Sequence, residues 1–205
     1  MQSNRLRALL LAGSPKRHSH TRAIVDVIAV RLIDMGVESV IWHQAEQPLP
    51  IMTTEQRSHH HLITDKHLLE FLKNVKRADI LVFGTPVYHG SFSGGLKNAL
   101  DWLSSSLLAD KIVGLACNSG GFRKTFPLVE LRAITRSVHA HAVRTEVATC
   151  DSDFESDQDN GYYVRSPEII ARVDEFVFDL VEFSRIFHIR EEHVREMHTQ
   201  PNLSR

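Results

Sequence analysis

Short apolar runs alternate with stretches of helical periodicity along most of the chain. Residues 7–13 hold the first run, Ala-Leu-Leu-Leu-Ala, which stops at Gly13-Ser14-Pro15 and reads as a buried strand ending in a turn. From Ser19 to Gly36 the apolar residues Ile24, Val25, Ile28, Leu32 and Met35 recur at helical spacing, and Gly36 stands where such a helix stops. Residues 37–42 predict a second strand, followed by a loop with Pro48 and Pro50. A second helix starts near Thr64, with Leu68, Leu72 and Val75 on its buried face and Lys73, Lys76 and Arg77 in its last turns, where cations suit the negative end of the macrodipole. Residues 78–84, Ala-Asp-Ile-Leu-Val-Phe-Gly, are almost continuously apolar, as in a strand buried on both faces at the centre of a sheet.

The alternation continues with a helix starting at residues 96–103, a strand at 111–117, a helix at 126–138 and a fifth strand at 142–148. Ser166-Pro167 predicts a cap and first turn for the last helix, whose apolar face is Ile170, Val173, Val177, Leu180 and Val181. Connections too long for hairpins imply a parallel sheet covered by helices on both faces, and five strands make it a doubly wound α/β fold. Asp151, Asp153, Glu155, Asp157 and Asp159 alternate with polar residues and read as a solvated loop. After Phe187 no packable pattern remains. Residues 1–187 are therefore expected to form one domain, with 188–205 a tail that is either a loose end or a partner-binding helix.

The 24 Lys and Arg against 25 Asp and Glu leave a net charge of -1, which gives no global field for nucleic acid or acidic membrane surfaces. No run of apolar residues is long enough for a membrane helix, and the run near the start is shorter than a signal-peptide core. Cys117 and Cys150 form no CxxC pair or disulfide framework, so the cytoplasm is the expected location.

In an open parallel sheet, ligands bind beyond the carboxyl ends of the strands. After the first strand stands Gly13-Ser14-Pro15-Lys16-Arg17-His18-Ser19-His20-Thr21. Its hydroxyls, cations and helix N-terminus form a cradle for a phosphate dianion, although Ser19 or Thr21 equally suits a plain helix cap. Neither GxGxxG nor GxxxxGK[ST] is present, which favours a mononucleotide such as FMN over a dinucleotide or a P-loop ligand. After the third strand, Thr85-Pro86-Val87-Tyr88-His89-Gly90-Ser91 sets an aromatic ring beside small residues in a proline-stiffened loop. After the fourth, Asn118-Ser119-Gly120-Gly121 exposes backbone donors without bulk.

On these residues the chain resembles the NADPH-dependent FMN reductase family of flavodoxin-like proteins. Gly13-Ser14 with Ser19 and Thr21, then Thr85-Pro86-Val87-Tyr88 with Ser91, Ser93-Gly94 and Leu96-Lys97-Asn98, then Ser119-Gly120-Gly121 carry the resemblance over residues 5–148. It implies a flavodoxin-like fold in which the first loop (Ser14, Lys16, Ser19, His20, Thr21) holds the FMN phosphate. The second (Thr85, Pro86, Val87, Tyr88, Ser91) would lie along the ribityl chain and rings, and the third (Asn118, Ser119, Gly120, Gly121) would reach the pyrimidine edge. It further implies a homodimer or homotetramer. Two departures stand out: Lys16 replaces the more common arginine, a point charge in place of a fork, and residues 44–61 make a long connection.

The three consecutive histidines 59–61 point in different directions on any helix and do not make a metal site. Cys117 is expected to be a small core residue, and Tyr88 to face the ligand. Hydride transfer from nicotinamide to flavin needs stacked rings and donors, such as the Gly120 and Gly121 N–H groups, rather than a general acid or base. The expected activity is an FMN-dependent NAD(P)H oxidoreductase that passes electrons to free flavin, a quinone, an azo compound or a metal oxyanion. The alternative is a flavodoxin-like FMN electron carrier serving a protein partner. Leu96, Leu100, Trp102 and Leu103 place apolar groups around one helix, so a subunit contact through Trp102 is expected.

Overall fold

A computed structural model describes residues 5–55, 64–157 and 161–199. The first four strands, β1 (Arg7–Ala12), β2 (Glu38–His43), β3 (Ile80–Pro86) and β4 (Ile112–Ser119), pair in parallel in the order β2-β1-β3-β4. The fifth position is split between β5 (His141–Ala142) beside Ile112 and Val113, and β6 (Val147–Cys150) beside Ala116 to Ser119. This is the doubly wound, flavodoxin-like order. The single strand expected at 142–148 is interrupted because Arg132 reaches in from the neighbouring helix. It donates to the Val143 carbonyl at 2.9 Å, as a ladder partner would, and to the Glu146 side-chain carboxylate at 2.5 Å.

The strands are apolar on both sides, so each face needs its own helical layer. Helices α1 (His20–Asp34) and α6 (Pro167–Thr199) cover one face with Ile24, Ile28, Leu32, Val173, Phe176 and Leu180. Phe176 presses so closely on β4 that a Cβ at Gly114 would lie 2.3 Å from its ring. On the other face α2 (Lys66–Arg77), α3 (Gly94–Asp101) and α5 (Phe126–Ser137) bury Leu68, Phe71, Leu96, Leu128 and Leu131, and α4 (Ser105–Leu108) adds Leu108. Helix α6 continues past the expected domain end to Thr199.

Two expectations are corrected. The acidic stretch is not a solvated loop: Asp151–Asp153 form a 3-10 turn, and β7 (Phe154–Asp157) pairs antiparallel with β8 (Gly161–Val164). Phe154 and Val164 join the core, and buried Asp153 is matched by Arg123. Asp159 and the histidines 59–61 lie outside the described residues. Trp102, only 3% exposed, offers no surface to a partner, and its indole donates to the Pro50 carbonyl at 2.9 Å. Asn98 adds bonds to the Leu49 and Pro50 carbonyls and accepts from Met52, so the long connection after β2 covers this helix from within the chain.

Candidate functional site

A cleft of about 400 Å³ opens beyond the carboxyl ends of β1, β3 and β4, within the size range of small-molecule sites. Its first wall is Ser14, Lys16, His18, Ser19, His20 and Thr21. Gly13 makes this wall possible: its N–H bonds the Gly84 carbonyl at 2.8 Å, and a Cβ there would lie 2.9 Å from Leu96 Cβ. Ser93, which caps α3, donates to the Gly13 carbonyl at 2.5 Å and takes the Leu96 N–H at 3.1 Å. Ser19 is indeed a helix cap, its Oγ accepting from Arg22 N at 3.1 Å, and it also lines the cleft. Among the described residues the N–H groups of His20 and Thr21 at the head of α1 have no hydrogen-bond partner, which leaves them, with the positive end of the helix dipole, for an anion.

Arg22 steadies this loop from behind, donating to the Arg17 carbonyl at 3.3 Å and to Glu46 at 2.6 Å. The Arg22 hydrogen bond holds the Glu46 carboxyl below its usual range.

Pro86, Val87 and Tyr88 form the second wall. Tyr88 and Ser91 exchange backbone hydrogen bonds of 2.9 and 3.0 Å across His89 and Gly90, both at positive φ, so the loop is a tight two-residue turn with the Tyr88 ring half-exposed at the mouth. The Val87 N–H bonds the Asn118 carbonyl at 2.7 Å and ties this wall to the third, Asn118 and Gly120.

Four expected residues stand outside the lining. Thr85 is fully buried, giving its hydroxyl to the Pro86 carbonyl at 3.0 Å and accepting from Ser93 N at 2.9 Å, so it shapes the second loop from beneath. Ser91 donates to Glu130 of α5 at 2.5 Å. Ser119 turns inward to the Phe122 and Thr149 carbonyls. Gly121 is exposed beyond the cleft.

The fourth wall, Asp151 and Tyr162, was missed from sequence along with His18. Asp151 directly follows β6 at the same end of the sheet, so the rule that ligands gather beyond strand carboxyl ends would have found it if applied to the fifth strand too. Its Oδ1 lies 2.8 Å from His20 Nδ1 and accepts from Asn118 Nδ2 at 3.0 Å. The bidentate bond of Arg123 to Asp153, at 2.7 and 3.0 Å, fastens the third loop to this turn. Burial alone would raise the Asp153 carboxyl, but the Arg123 fork and the Cys150 N–H outweigh it and hold the group below its usual range.

Cys117 lies buried in β4 beneath the third loop and gives its thiol to the Lys124 carbonyl at 3.0 Å. Burial pushes its pKa up to about 12, so it supplies no thiolate. Among the described residues no group of three or more His, Cys, Asp or Glu side chains is arranged to hold a metal ion. The cleft is thus a set of hydroxyls, unpaired N–H groups and a lysine at one end, with a tyrosine and a glycine loop at the other. Such a set suits the phosphate and flat ring system of FMN.

Comparison with known proteins agrees. The NADPH-dependent FMN reductase family matches residues 6–154. An FMN-dependent NADPH-azoreductase of Staphylococcus aureus is 36% identical over 178 residues, covering 87% of this chain and 95% of that protein. In fold, the chain is similar to FerB, a flavoenzyme NAD(P)H:(acceptor) oxidoreductase from Paracoccus denitrificans, with a TM-score of 0.70 at 16% identity over 89% of this chain and 98% of that one. It is also similar to the flavodoxin of Streptococcus pneumonia TIGR4, with a TM-score of 0.57 at 18% identity over 86% and 98% of the two chains. From its cleft, its fold and these matches, the chain belongs to the NADPH-dependent FMN reductase family and is an FMN-dependent NAD(P)H oxidoreductase.

Proposed function

We propose that the cleft holds FMN with its phosphate at the head of α1 and its rings between the Tyr88 loop and Gly120, and that electrons leave to an azo compound or a quinone. Bound FMN supplies the centre that accepts hydride from NADPH. The chain's own part is binding and orientation. Ser14, Ser19 and the His20 and Thr21 N–H groups receive the phosphate, and Lys16 adds a charge. Pro86, Val87 and Tyr88 fix the plane of the rings. The Gly120 N–H is a donor for negative charge developing at the pyrimidine edge. No side chain is required to move a proton. The observation that carries this reading is the pair of unpartnered N–H groups at the start of α1, inside a cleft already furnished with hydroxyls.

The acceptor class rests on the azoreductase relative and on the half-exposed Tyr88 ring, against which a flat aromatic acceptor would stack. Phe122, Phe126 and Val129 are 82%, 67% and 65% exposed on the third loop and α5, which Ser91 and Glu130 join to the Tyr88 loop. That patch supports a homodimer formed beside the cleft. Phe187 is packed against the core and His188 faces Asp79 at 3.4 Å, which supports a flavin-binding domain that reaches at least residue 188, with any tail beginning beyond it. The two buried free cysteines are in keeping with a cytoplasmic location.

The test is an absorbance titration of the purified chain with FMN, then NADPH, then an azo dye or quinone. Flavin bleaching by NADPH followed by stoichiometric consumption of the acceptor is expected. Bleaching without reaction with either acceptor would overturn the acceptor assignment. Light scattering that gives the mass of one chain would overturn the dimer.

A further inference from the structure

Granting that the cleft holds FMN, one feature of its phosphate end needs an account: Asp151 is the only carboxylate among the described lining residues. A bare carboxylate there would repel a phosphate dianion. Asp151 is not bare, however, since its Oδ1 is 2.8 Å from His20 Nδ1. With the imidazole protonated this contact is an ion pair, and Nε2 is then a second donor on the ring.

We propose that Asp151 is a positioning residue that holds His20 with Nε2 toward the flavin phosphate, and that this pair makes the cleft select FMN over riboflavin. In the protonated form of the ring, Nδ1 faces the carboxylate while Nε2 donates to the phosphate, so the pair turns a repulsive group into a charge-assisted donor.

The surroundings fix both partners. The His20 ring lies between Phe154 and Tyr162, at centroid separations of 4.7 and 3.9 Å, which hinders it from swinging away from the carboxylate. Asp151 Oδ1 also accepts from Asn118 Nδ2 at 3.0 Å, and Asn118 Oδ1 takes the Thr149 hydroxyl at 2.9 Å, so the amide has one orientation. The Asp151 N–H reaches the Gly120 carbonyl at 3.3 Å. The other charged or titratable groups lining this end are Lys16 and His18 of the first loop and Tyr162 of β8, none of them an anion at neutral pH. The arrangement therefore bridges the first and third loops through one carboxylate.

Calorimetric titration of the flavin-free chain with FMN and, separately, riboflavin tests this. The variants are His20→Ala, His20→Gln, Asp151→Ala and Asp151→Asn; the Gln change retains bulk against Phe154 and Tyr162, and the Asn change retains the shape of Asp151 without its charge. The native chain is expected to prefer FMN. His20→Ala and both Asp151 variants should lose about tenfold in FMN affinity, the scale of one charge-assisted hydrogen bond, while riboflavin affinity stays within about twofold. His20→Gln, which restores a donor, should recover part of the FMN affinity. Equal losses for the two flavins would show a scaffold role only and overturn the proposal, as would unchanged FMN affinity. A native chain that binds both flavins equally overturns this inference and leaves the flavin cleft standing; one that binds neither overturns the FMN reading itself.

Discussion

The two ends of the sheet are made of the same strands and treat their polar groups in opposite ways. At the amino end the chain uses its own donors. Asp79 takes the Arg7 N–H at 2.8 Å and faces His188 at 3.4 Å, Lys111 gives its ammonium to the Ala78 carbonyl, and His141 meets Asp110 at 3.4 Å. Among these groups opens a cavity of about 120 Å³. At the carboxyl end the loops are small and proline-stiffened, the head of α1 keeps two N–H groups unpartnered among the described residues, and the cleft is more than three times larger. The difference teaches that the candidate cleft lies where the chain leaves donors unspent, and that polar residues alone do not mark it.

The largest expected effect strikes the carboxyl end alone. Replacing Ser14, Ser19 and Thr21 together by Ala should weaken FMN binding by roughly 2–4 kcal/mol, while stability falls by only about 1 kcal/mol for the lost cap on α1. Calorimetry and urea melting on the same samples separate the two, and undiminished FMN affinity in the folded variant would remove the phosphate assignment.

Arg123→Ala sharpens the comparison because its partner Asp153 is buried beside the cleft. A stability loss of about 2 kcal/mol at neutral pH is expected, kept modest by the partial exposure of the arginine. The depressed Asp153 carboxyl gives its contribution in full above the ordinary value of 3.8 and loses it as pH falls through the lower folded value. Melting curves of the native and variant chains should therefore converge in acid, and a difference that widens there would contradict the assignment.

At the amino end, Lys111→Ala should cost about 1 kcal/mol of stability and leave FMN affinity unchanged. A loss of flavin binding there would mean the two ends are coupled. Smallest of all, Cys117 should resist alkylation in the folded chain at neutral pH, since burial holds its thiol protonated. Rapid labelling under native conditions would place an open path to β4.

Much of this was legible because local signals and the global fold agree. The runs that became β1, β3 and β4 are apolar on both faces, and the loops after them hold most of the lining. Within those loops, however, the pleat decides which residue faces the cleft. Asn118 and Gly120 line the cleft while Ser119 between them turns inward, an alternation that a motif read as a block does not resolve. Trp102 and the acidic stretch misled for another reason. Their partners, Pro50 and Arg123, are distant in sequence, and no local pattern announces a pairing across fifty or thirty residues.

The most direct test of the account is a crystal structure of the chain grown with FMN. Flavin density along the cleft, with the phosphate against Ser14 and the N–H groups of His20 and Thr21 and the rings beside Tyr88 and Gly120, is the predicted result. Density at the amino-end cavity near Asp79 and His188, or a flavin whose phosphate lies away from the head of α1, would contradict it.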